Sequence, residues 1–137
     1  MGDGGVRWRA VLGAAVAAVT LTLTGCSPAA EPDVIATAGR FQQLVASKDW
    51  SGACELLSES VRTQLVATAA RPCGLALPAL RLSSGQVGSV QVWGHNAMVT
   101  VDDGALFLSW FPSGWRVIAA GCESQGEDLP YQCAVRG

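Results

Sequence analysis

Charge is scarce in this sequence. Of 137 residues, 9 are basic and 11 acidic, so charged side chains make up 15% and the formal net charge is -2; soluble domains usually carry about 25%. A grip on phosphates needs a surplus of lysine and arginine, so no nucleic-acid partner is expected. Histidine occurs once, at His95. A Ser-His-Asp triad would have to use that residue, and no G-x-S-x-G motif accompanies it. No two cysteines stand at C-x-x-C spacing, which with a single histidine argues against zinc; no metal and no cofactor is expected. A calcium loop ending at Gly104 fails by register, because two of its acidic positions are Val99 and Val101. No apolar run reaches the roughly 20 residues of a membrane-spanning helix. No internal repeat is visible, and the length suits one domain.

The longest apolar run, Ala10 to Thr24, follows Arg7 and Arg9 and leads into Leu23-Thr24-Gly25-Cys26. A basic start, a short apolar core and small residues before a cut site describe an export signal. Trp8 separates the two arginines, so the twin-arginine route is not indicated. The cysteine directly after Leu-Thr-Gly resembles the lipobox of bacterial lipoproteins, whose cysteine thiol takes a diacylglyceryl group. The expectation is a signal peptide over 1–25, lipidation at Cys26, a tether over 26–33 and a single domain over 34–137. At least two acyl chains (palmitate among them) would hold the protein on the extracytoplasmic face of the cell membrane, because one chain binds only marginally. Seven tether residues, Ser27 to Asp33, span only about 23 Å.

Four cysteines remain: Cys54, Cys73, Cys122 and Cys133. An even number in an exported domain points to disulfides. Of the three pairings, Cys54–Cys73 and Cys122–Cys133 each close a short local loop, and these are expected.

Asp33 can cap a helix from Val34 to about Lys48, with Val34, Ala38, Phe41 and Val45 on one stripe and Leu44 beside it. Asp49 or Ser51 can cap a short second helix through Leu57, and Ser58 starts a third that ends at Arg71-Pro72. Cys73 to Leu80 contains Pro78 and allows a helical turn or two. From Gln86 the period changes to two. Strands Gln86 to Trp93, Ala97 to Val101, Ala105 to Phe111 and Trp115 to Ala120 are separated by Gly94-His95-Asn96, Asp102-Asp103-Gly104 and Pro112-Ser113-Gly114, which are hairpin signals. A cysteine-closed loop is expected to finish the chain. Helices first and an antiparallel meander afterwards make an α+β fold. Ala97, Val99, Val101, Leu106, Leu108, Trp110, Trp115, Val117 and Ala119 should face the helices.

Lys48-Asp49-Trp50 leading into Ala53-Cys54-Glu55-Leu56-Leu57, Gly114-Trp115-Arg116-Val117 leading into Ala120-Gly121-Cys122, and the ending Pro130-Tyr131-Gln132-Cys133 resemble a group of small actinobacterial lipoproteins. The resemblance implies the cone-shaped fold of nuclear transport factor 2 and the ketosteroid isomerases. It implies a curved sheet wrapped over helices, with a pocket at the cone's mouth. Members of the group often carry an acidic residue where this chain has Gln132. The shared motifs are structural and bring no catalytic residue.

Chemistry-bearing residues are few. His95 sits at a hairpin tip, a poor place for a general base. Asp102 and Asp103 precede a turn glycine, and Glu123, Glu127 and Asp128 crowd the terminal loop; solvent exposure is expected for all of them. Alternation puts Phe107 and Phe111 on the face opposite Leu106 and Leu108, where large apolar groups mark a binding surface or pack under the terminal loop. The expectation is a non-enzymatic lipoprotein that binds an apolar small molecule or an envelope protein through Phe107 and Phe111, with Trp93 as an outside candidate. The alternatives are an isomerase or cyclase-type enzyme, which needs an inward carboxylate or histidine, and a structural accessory of a membrane complex.

Overall fold

The first helix, α1 (Glu31–Ala46), starts three residues earlier than the pattern of its apolar stripe suggests. Proline in the first turn is pre-set for helix, and Glu31 and Asp33 face the positive end of the helix dipole. Asp33 therefore lies inside the helix; no side chain caps it. Val34, Ala38, Phe41, Leu44 and Val45 form its buried stripe. Lys48 ends the helix in the left-handed conformation (φ 58°), with its N–H on the Val45 carbonyl and that of Asp49 on the Leu44 carbonyl. Asp49 then caps α2 (Trp50–Leu56), its carboxylate accepting the Gly52 N–H at 3.0 Å. Ser58 caps α3 (Glu59–Ala69) by accepting from Val61. After Pro72 come one turn of α-helix, α4 (Cys73–Ala76), and a 3-10 turn, Leu77–Leu80. The computed structural model describes residue 2 and residues 30–137. Cys26, and the expected signal segment apart from residue 2, lie outside the described residues.

Five antiparallel strands follow in the order β1-β2-β3-β4-β5: β1 (Val87–Trp93), β2 (Asn96–Val101), β3 (Gly104–Phe111), β4 (Gly114–Glu123) and β5 (Gln132–Arg136). The fold is thus α+β, with helices against an open sheet. The fifth strand corrects the expected terminal loop. Gln132, Ala134 and Arg136 are not buried while Val135 is, an alternation that reads as a strand once β4 is extended to Glu123.

Both expected disulfides are present. Cys54–Cys73 joins α2 to the start of α4, and Cys122–Cys133 joins directly paired residues of β4 and β5. No helix among the described residues is long and apolar enough to cross a membrane.

The main core lies between helices and sheet. Phe41, Leu57, Leu77, Leu106, Leu108, Val34, Val61, Val99 and Val117 are fully buried there. Two departures from the expected faces share one cause. β4 holds two extra residues relative to β3, one between the partners of Leu108 and Phe107 and one between those of Phe107 and Ala105. Each bulge turns the alternation over. Val117 faces the main core as expected, but Ala120 replaces Ala119 there, and Ala119 and Cys122 join a second apolar cluster with Ala105. Gly121 makes the second bulge at φ 62°; a Cβ there would stand 2.9 Å from Leu82. Trp110, expected to face the helices, is 46% exposed near the end of β3.

Candidate functional site

The second cluster carries Phe107. Its ring meets Tyr131 edge to face, with centroids 5.4 Å apart and planes at 71°, a favoured aromatic geometry. Met98, Ala105, Ala119 and the Cys122–Cys133 bridge complete the cluster. Residues just before β5 thus lie over this part of the sheet. Phe107 is half-buried, on the face opposite Leu106 and Leu108.

Phe111 has a different setting. It lines a groove of about 1030 Å³ between the β3–β4 turn and α3, with Leu57, Ala67 and Pro112 as its other apolar members. Arg116 fixes one wall. Its guanidinium donates to the Glu55 carbonyl at 3.1 Å and to the Ser113 carbonyl at 3.1 Å, tying the helix junction to the hairpin. The opposite wall starts where Ser58 donates its N–H to the Val117 carbonyl at 2.9 Å, so the α2–α3 junction lies along β4 like a further strand residue. Phe107 and Phe111, four residues apart on one strand, therefore belong to two different surroundings. Trp93 belongs to neither; it is 49% exposed at the end of the edge strand β1.

A second groove, of about 620 Å³, opens at the other end of the sheet. Arg81, Asp102, Asp103 and Glu123 line it together with buried Gln42 and Leu106. Asp102 is committed to structure: its backbone N–H donates to the Gln86 carbonyl at 3.2 Å, and its carboxylate accepts the Gln86 N–H at 3.1 Å. Gln42 accepts the Gly85 N–H at 2.9 Å, which pins the strand leading into β1 to α1. Asp103, Glu123, Glu127 and Asp128 are exposed. Among the described residues, no three or more histidine, cysteine, aspartate or glutamate side chains gather where they could hold a metal.

His95 occupies the β1–β2 turn, exposed, its ring 5.5 Å from that of Trp110. The buried polar residues among those described are Gln42 and Ser58, neither of which serves as a general acid or base near neutral pH. Residue patterns alone miss Tyr131, Met98 and the α3 wall beside Phe111. Met98 was within reach, since its register opposite Phe107 follows from pairing β2 with β3 through the Asp-Gly turn. No protein-family model matches the chain, and neither a curated protein nor a solved structure matches it significantly.

Proposed function

We propose that the mature chain is an exported, lipid-anchored module that docks an envelope protein and performs no turnover of its own. Leu-Thr-Gly-Cys26 after a charged start and an apolar run supports the anchor. Two disulfides in a domain of this size suit an oxidising compartment outside the cytoplasm. Helices laid on an antiparallel sheet are in keeping with the fold of nuclear transport factor 2, and the space between helices and sheet is filled. That filling is the observation that carries the reading: Phe41, Leu57, Leu77, Leu106 and Leu108 occupy the space between helices and sheet, so the openings are surface grooves. A carrier of apolar molecules would need an enclosed cavity. A docking module needs an accessible groove, and the one beside Phe111 offers Phe111, Ala67 and Pro112 to an apolar segment of a partner.

Two experiments test this. Changing Cys26 to alanine should move the protein from the membrane fraction to the soluble one; a variant that stays with membranes contradicts the anchor. A photo-crosslinking side chain at position 111 should give one discrete adduct in intact cells, while the same group at exposed position 103 should not. Native mass spectrometry decides the other way if the purified protein carries an added mass of small-molecule size that activation removes.

A further inference from the structure

Two tryptophans stay about half exposed, Trp93 at 49% and Trp110 at 46%, in a fold that buries Trp115 to 8%. They stand at the same end of the sheet. Trp93 pairs with Asn96 across the Gly94-His95 turn, and Trp110 donates its backbone N–H to the His95 carbonyl at 2.8 Å. The direction of α1 decides what else is at this end. Gln42, in its C-terminal half, is bonded to Gly85 just before β1, at the far end of the sheet. Val34 and Ala38 are fully buried, and Ala30 packs on the same core. α1 packs against β1 more extensively than against any other element, and its C-terminal half lies beside the start of β1, so α1 runs back along β1, antiparallel to it. Its start lies at the tryptophan end, with Ile35 beside it 42% exposed.

Cys26 precedes Ala30 by four residues, a reach of at most about 14 Å. An acyl group on Cys26 therefore holds the tryptophan end within a headgroup layer's thickness of the bilayer. Tryptophan suits that layer, because its ring is apolar and its N–H finds a polar partner there. We propose that Trp93, Trp110 and Ile35 rest in the headgroup region of the membrane to which Cys26 is anchored, which fixes the orientation of the domain. This rests on the lipoprotein reading above. Glu31 and Asp33 are exposed at the same helix start, so the surface fits zwitterionic lipid and is repelled by anionic lipid. The groove beside Asp102 and Asp103 then faces away from the bilayer, the one beside Phe111 lies near its surface, within reach of an apolar segment of a membrane protein, and Trp93 serves the membrane and not a soluble partner.

The test uses the lipidated mature protein, purified from membranes and reconstituted into phosphatidylcholine vesicles with bromine atoms high in the acyl chains. Mass spectrometry of the same sample reports the acyl groups, so a bare Cys26 refutes the anchor independently of the docking. With acyl groups present, brominated vesicles should quench tryptophan emission relative to unbrominated ones. The W93F/W110F double variant, its fold checked by circular dichroism, should lose that quenching, because Trp50 and Trp115 pack against the core. Replacing half the lipid by phosphatidylglycerol should weaken it. A lipidated, vesicle-bound protein that is not quenched, or a double variant quenched like its parent, overturns the proposal.

Discussion

Replacing both Cys54 and Cys73 by alanine removes the bridge between α2 and α4 without leaving a free thiol. The two residues are 19 apart in sequence. Releasing a loop of that length frees unfolded-chain entropy worth about 3.2 kcal/mol at 25 °C. The segment it holds has little stability of its own, since α4 has 4 residues and a single turn does not persist unaided. What remains to hold it is burial of Leu77 and Ala76. In a urea titration followed by tryptophan fluorescence, a slope of about 1.5 kcal/mol per molar places the midpoint about 2 M lower than in the parent. The slope should rise slightly, because the unfolded chain without this cross-link exposes more surface, and the Cys122–Cys133 bridge closes a separate loop. A midpoint within about 0.3 M of the parent would refute the reasoning, showing that the bridge adds nothing to what packing already fixes.

Other substitutions probe other parts of the fold. Leu108→Ala empties a fully buried position between helices and sheet and should cost about 2–5 kcal/mol, while Leu75→Ala, at an exposed site, should stay within about 0.5 kcal/mol in the same titration. Ala70→Gly relieves a left-handed residue (φ 51°) at the end of α3 and should raise stability by about 0.5–1 kcal/mol; a loss would show that the cap is not strained. Gly121→Ala drives a Cβ against Leu82 and Ala134 at a left-handed bulge and should cost more than about 1 kcal/mol by thermal unfolding.

The helical half of the molecule could be read from residue patterns because its signals are local. The stripe Val34-Ala38-Phe41-Val45 and the caps Asp49 and Ser58 each act within a few residues. The hairpins were legible for the same reason, since Asp102-Asp103 and Pro112-Ser113-Gly114 set their own turns. The sheet's far side was not. Alternation assumes an unbroken register, and the two bulges in β4 moved Ala119 out of the main core and Ala120 into it. β5 escaped because the segment joining it to β4, Ser124 to Tyr131, carries no short hairpin turn, and the Cys122–Cys133 bridge reads as easily as a closed loop. For Phe107 and Phe111, alternation gave the right face to Phe107. It said nothing of their covers, since Tyr131 reaches Phe107 only through the pairing of β5, and α3 reaches the groove beside Phe111 only through the junction at Leu57 and Val117.

We propose a lipid-anchored domain outside the cytoplasm, closed by its two disulfides, and the intact mass of the protein taken from washed membranes tests that proposal most directly. The account predicts a chain beginning at Cys26, heavier by a diacylglyceryl group and lighter by four hydrogens for its two disulfides. A chain that keeps residues 1–25, or one whose Cys26 bears no acyl group, or four free thiols at Cys54, Cys73, Cys122 and Cys133, would contradict it.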